Sequence, residues 1–143
     1  MISTNLKSLR MHHKLTQEEL AFQLNVSRQL IAKWENGEST PDLGYSQKLA
    51  KLYNVSLDAL VEYIEPYPHL GVPPKGKHFF GSAKVGERGQ IVIPKKARDV
   101  FHIEPGDTLI FLGDEERGIA ILPERLLNTF LNVVNVDHKG DEY

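Results

Sequence analysis

The sequence predicts an α + β chain of two small domains: a five-helix bundle, then a small β-barrel that two chains complete together. Three observations predict it. Apolar residues recur at helical spacing from Leu6 to Ile64. Four prolines and three glycines between Glu65 and Gly81 then end that pattern. Beyond them the apolar residues fall in short β-branched runs, at 90–93, 108–112 and 119–122. The segment 82–123 has no disulfide to staple it and is too small to close a core alone. Its strands are apolar on successive residues and would leave open edges. Strands interleaved from two chains would cover both.

The bundle reads in order. Ser3 or Thr4 caps a first helix running to about His13, with Leu6, Leu9 and Met11 on its apolar side. Thr16 caps a second, and Glu19 three residues on completes a capping box. Leu20, Ala21 and Leu24 form its narrow apolar face, and Ala21 keeps the crossing close. Asn25 tolerates the left-handed backbone of a sharp turn, Val26 plugs that turn, and Ser27 caps a third helix. Ile31 and Trp34 face inward, and Asn36-Gly37 stops the helix. Pro41-Asp42 starts a fourth helix lined by Leu43, Leu49, Ala50, Leu52 and Tyr53. Asn54-Val55 turns the chain. Ser56 caps a fifth helix carrying Leu57, Leu60, Val61 and Ile64.

Residues 16–37 thus read as a helix-turn-helix. The outward face of its second helix is Arg28, Gln29, Ala32 and Lys33. Arg forks onto guanine, Gln pairs with adenine, and Lys takes guanine or a phosphate.

Residues 66–81 are expected to be a linker. Their prolines favour a semi-extended path that would reach about 40–50 Å, with Phe79-Phe80 packing at the entrance to the second domain. There, Gly86-Glu87-Arg88-Gly89 is a turn, Gln90–Ile93 a strand, and Pro94 opens a short helix over 95–101. Glu104-Pro105-Gly106-Asp107 is a tight turn. Thr108–Leu112 and Ile119–Leu122 are strands on either side of a charged turn. Residues 124–136 read as an amphipathic helix through Leu126, Leu127, Phe130, Leu131 and Val134. Residues 137–143 are a polar tail.

Composition excludes more than it assigns. There are no cysteines among the 143 residues, so disulfides and thiolate metal sites are ruled out. The start of the sequence has no basic-then-apolar signal pattern, and no apolar run approaches a membrane span. A cytoplasmic, nucleoid-associated location is expected. The net charge is −2, and residues 1–65 carry seven Lys/Arg against eight Asp/Glu. DNA binding must therefore rest on local charge placement and on dimerisation. No GxSxG motif, P-loop or spaced His pair suggests an enzyme. His12 and His13 should be solvated and point apart. No cofactor or metal is expected.

Two resemblances follow from these motifs. The TQEELA opening, the NVS turn, SRQLIAKWENG and the later LAKLYNVSLDAL make residues 1–65 resemble the Cro/C1-type (XRE-like) helix-turn-helix domain. That implies a lambda-repressor-like five-helix bundle that binds DNA as a dimer. It also implies base contacts by Arg28, Gln29 and Lys33, and phosphate contacts by Gln17, Ser27 and Asn36. Asn25 stands where the family usually has Gly. VGERGQIVIPKKARDVFHIEPGDTLIFL with GIAILP makes residues 82–123 resemble the AbrB/MazE-type swapped-hairpin domain. That implies a dimeric barrel, with Lys84, Arg88, Lys95, Lys96 and Arg98 as a second DNA surface or, alternatively, a pure dimerisation hub. Ala83, Gln90 and Asp99 replace arginines of the DNA-binding members. Together these imply a sequence-specific transcriptional regulator acting as a homodimer. The alternative is the DNA-binding antitoxin of a toxin–antitoxin pair, with a protein partner at the C-terminal helix.

Overall fold

The computed structural model describes residues 1–132. They fall into two compact units, one ending at Phe79 and the other beginning at Phe80.

The first unit holds five helices: α1 (Ile2–His12), α2 (Gln17–Leu24), α3 (Arg28–Asn36), α4 (Leu43–Tyr53) and α5 (Leu57–Glu62). Their ends are set by local chemistry. Thr16 and Glu19 form the reciprocal capping box, and the Thr16 N–H donates to the Glu19 carboxylate at 2.7 Å. That bond holds the Glu19 carboxyl below its ordinary pKa. Ser27, Asp42 and Ser56 accept from the backbone N–H three residues on. Asn25, Gly37 and Asn54 end α2, α3 and α4 in the left-handed conformation. Expectations for one helix cap and for the apolar faces of α1, α4 and α5 are corrected. Helix α1 begins at Ile2 behind an uncapped Met1, so Ser3 and Thr4 lie inside it. Met11, Leu43, Leu52, Val61 and Ile64 are exposed. An apolar period locates a helix face but not its width, and Ser46 and Tyr45 take the places on α4 next to the core.

That core gathers Leu6, Leu20, Ile31, Leu49 and Leu60, all at 2% exposure or less, around Trp34 and Tyr53. Asn5 is buried among them. Its side-chain amide donates to the carbonyls of Ala59, Leu60 and Tyr63, tying α1 to the end of α5. Residues 65–79 have no regular element, yet they are more than a tether. Val72 is buried in the bundle core, the Lys75 N–H donates to the Asn54 carbonyl at 2.8 Å, and Tyr67 meets Phe79 edge-on. This strap is therefore folded against the bundle, not extended as expected.

The second unit contains α6 (Lys95–Val100) and an antiparallel pair, β1 (Leu109–Asp114) and β2 (Gly118–Pro123). Asp114 Oδ1 accepts from the Glu116 and Arg117 N–H groups to shape the hairpin turn. Glu104 and Asp107 exchange hydrogen bonds across the turn before β1. The expected strand at 90–93 is not paired among the described residues; the Gln90 carbonyl instead accepts from the Gly86 N–H at 2.8 Å, which folds the start of the run into the preceding turn. Nor is the barrel closed: the described residues form an open two-stranded sheet. Phe111 pairs with Ile121, and Gly113 with Ile119, on a face that leaves Phe111 65% and Ile119 76% exposed. A 3-10 turn, Glu124–Leu126, leads into helical residues 127–132. The rest of the expected 124–136 helix and the 137–143 tail lie outside the described residues.

Candidate nucleic-acid interface

The geometry of α3 follows from what clamps its inner side. Ile31, Trp34 and Glu35 are buried, which turns Arg28, Gln29, Lys33 and Asn36 outward, all exposed. Ala32 is half-buried between them. Helices α2 and α3 are joined through Asn25 and Val26. The Val26 N–H bonds back to Ala21, and Ala21 is itself buried, so the two helices cross closely.

The polar clamp beneath α3 escaped sequence reasoning. Glu35 lies next to Trp34 with a side chain 2% exposed, and both its oxygens are used. Arg10 of α1 donates through its Nε to Oε1 at 2.6 Å and through a terminal nitrogen to Oε2 at 3.0 Å. Arg10 also donates to the Leu15 carbonyl at 2.8 Å. Donating to the Glu35 carboxylate raises the Arg10 pKa further, against the opposing effect of burial. Glu35 lies four residues from Ile31, as Arg10 does from Leu6. That shared inner-face spacing was the available signal.

Gln17, expected to face a phosphate, spends one amide hydrogen on Glu35 Oε2 at 2.9 Å. Its side chain is thereby fixed against the C-terminal half of α3, with the second amide hydrogen left over. The exposed Ser27 hydroxyl accepts from the Leu30 N–H and keeps its own hydrogen to donate. Behind α3, the Trp34 ring meets the Tyr45 ring at 5.4 Å.

The basic residues of the second unit are less free. Lys95 pairs with Asp99 at 3.0 Å, and Arg98 donates to the Ile93 carbonyl. Lys84, Arg88 and Lys96 are exposed. His12 and His13 do not point apart: their rings meet at 5.8 Å, and His13 packs on Tyr53. Among the described residues no group of His, Asp or Glu could hold a metal ion, and no helix is long and apolar enough to cross a membrane.

Comparison with known proteins agrees with this geometry. Residues 6–60 match a family described as helix-turn-helix. An uncharacterized HTH-type transcriptional regulator of Methanocaldococcus jannaschii is 40% identical over 62 residues, which is 43% of this chain and 94% of that protein. The chain belongs to the HTH-type transcriptional regulators. The activator BcrR of Enterococcus faecalis is 43% identical over 56 residues, covering 39% of this regulator and 28% of that protein. Antitoxin PezA of Streptococcus pneumoniae is 34% identical over 73 residues, covering 47% of this chain and 46% of that one. The regulator thus spans under a third of BcrR and about half of PezA. Residues 83–126 match a second family, described as antidote-toxin recognition MazE, bacterial antitoxin. The chain therefore joins the two domain types that its motifs resemble.

Proposed function

We propose that this regulator is a sequence-specific double-stranded DNA binder that acts as a homodimer, with α3 in the major groove. The observation that carries the reading is the two-sided order of α3. Glu35, Ile31 and Trp34 fix its rotation, and Arg28, Gln29 and Lys33 are thereby presented to base edges. Ser27, Asn36 and the remaining amide hydrogen of Gln17 flank them as phosphate donors. Dimerisation runs through residues 82–123. The open sheet and the unpaired segment 90–93 support that, because a second copy supplies the missing strand partners. The paired state of Lys95 and Arg98 favours the hub over a second DNA surface. Lys84, Arg88 and Lys96 remain its exposed cations.

The test is site selection from random duplexes, followed by Arg28→Ala and Gln29→Ala on the selected site. Each should cost about 1–3 kcal/mol and relax discrimination at one base pair. Unchanged affinity and preference in both would refute the placement of α3.

The second reading, an antitoxin with a protein partner at the C-terminal helix, is favoured by the match of residues 83–126. It requires that the chain neutralise a co-expressed toxin; a chain that represses its operator but rescues no such cell excludes it.

A further inference from the structure

A pocket of about 400 Å³ opens in the first unit between α1, the end of α5 and the strap. Thr4 and Ser8 line it from α1, Tyr63 from the end of α5, and Glu65, Gly71 and Val72 from the strap. Its walls are fixed by specific bonds. His69 and Gly71 both adopt left-handed backbone, and the Gly71 N–H donates to Glu65 Oε1 at 2.7 Å. Val72, next in the chain, is buried in the core and pins the strap there. Opposite, the buried Asn5 amide ties α1 to the Tyr63 carbonyl at 2.8 Å. A β-carbon at Gly71 would meet nothing within 4 Å, so the space beside the strap is open.

The polar groups around this space are underused. Glu65 spends one carboxylate oxygen on Gly71, and the other has no hydrogen-bond partner. The Tyr63 hydroxyl is buried without a partner, a costly state that folded chains rarely leave unanswered. Burial and, after it, the Glu65 charge push the Tyr63 phenol above its ordinary pKa. Thr4 and Ser8 lie one turn apart on α1 and bring their hydroxyls to the same side. Among the described residues lining the pocket, Glu65 alone has a charged side chain.

We propose that this pocket binds a small organic cation, a primary amine carried on a compact apolar body. An ammonium group has three donors and no acceptor. It matches a half-used carboxylate, an orphaned phenol oxygen and a hydroxyl of α1, while Val72 and Ile64 offer apolar surface to the body. An anionic ligand would be repelled by Glu65 and would meet no cationic side chain among the lining residues. The volume sits at the small end of the range for ligand pockets, about 300–1,000 Å³. A bound amine joins α1 to the strap, the stretch that leads into the second unit. The inference stands apart from the DNA-binding reading.

The experiment titrates the full chain with probes of one shape, cyclohexylamine, cyclohexanol and cyclohexanecarboxylate, at neutral pH and constant salt, following backbone amides by NMR. Cyclohexylamine, protonated under these conditions, should shift the Ser8, Tyr63 and Gly71 amides saturably. Its dissociation constant should be on the order of a millimolar, as suits so small a compound. Cyclohexanol should bind about fivefold more weakly, and cyclohexanecarboxylate should leave these amides unmoved. Glu65→Gln keeps an oxygen for the Gly71 N–H and removes the charge, so it should weaken cyclohexylamine about fivefold. Tyr63→Phe deletes an unpartnered hydroxyl. Without the probe its melting temperature should hold or rise, yet its affinity for cyclohexylamine should fall about threefold. A tyrosine with a purely structural role would leave that affinity unchanged. Absence of a saturable shift with cyclohexylamine would overturn the proposal. So would equal binding of the three probes, which would mark an apolar hollow indifferent to charge, and so would a folded Glu65→Gln of unaltered affinity. The wild-type probe series decides the matter if a variant fails to fold, and its failure leaves the reading of α3 untouched.

Discussion

The two units of this regulator solve the same problem in opposite ways. In the first, thirteen buried apolar residues form one cluster that includes residues from every helix and from the strap. In the second, the buried apolar residues among those described are Ala97 and Leu122, while Val85, Val92, Phe111 and Ile119 stand in solvent. Both units expose large apolar side chains, Phe22 and Ile64 on the first among them; the difference lies in the buried cluster, which the first unit has and the second, among the described residues, lacks. The first unit has a core of its own. On the proposed reading, a second copy would supply the cover that the strands of the second unit lack among the described residues.

The sharpest way to break this contrast is to damage each unit separately. Leu49 is fully buried at the centre of the first cluster. Leu49→Ala should cost about 3–5 kcal/mol through reduced burial and a residual cavity. The low-temperature limb of thermal unfolding should shift, and DNA binding should fall with the folded fraction. Sedimentation should still report the dimer. Loss of the dimer along with the head would show that the two units do not fold independently.

In the second unit the corresponding substitution is Ile119→Asp, paired across β1–β2 with Gly113 and 76% exposed. In an isolated chain it should be nearly neutral. In a dimer that buries this face it removes about 1.5–3 kcal/mol of side-chain burial from each copy, before the added cost of an unpaired carboxylate. Equilibrium sedimentation should show a dissociation constant raised at least tenfold, with the melt of the first unit unchanged. A dimer of unaltered affinity would mean that this face is not the interface.

The same contrast explains what could be read from the amino acids. The helix-turn-helix was legible because its signals are local. Thr16 to Glu19, Ser27 to Leu30 and the Gly37 stop each act within three or four residues. The clamp beneath it was not, since Arg10 and Glu35 lie 25 residues apart and Asn5 reaches carbonyls 54 to 58 residues away. Such interactions leave only a polar residue at an apolar position as their trace. On α4 the apolar pattern also offered Leu43 and Leu52, but the bundle had room for a narrower face. The run at 90–93 carries genuine strand propensity, yet it is unpaired among the described residues: propensity alone does not make a strand without a neighbour.

The strap tests where the first unit ends. Proline and glycine content assigned residues 66–81 to a linker, and for backbone regularity that holds. Val72 decides the rest. Its side chain is 8% exposed within the core cluster, and three residues on the Lys75 N–H closes on Asn54. Val72→Ala deletes two buried methyl groups, at about 0.8 kcal/mol each. The first unit should lose about 1.5 kcal/mol, and its melting temperature should fall by several degrees. The more discriminating readout is the Lys75 amide. In the wild type it should be protected from exchange, because the strap must lift before solvent reaches it. In Val72→Ala that protection should drop more than that of the Asn5-bonded end of α5, since the strap loses its anchor while the helix keeps its own. If Lys75 exchanges freely in the wild type, the strap is a tether after all, and the first unit ends with α5.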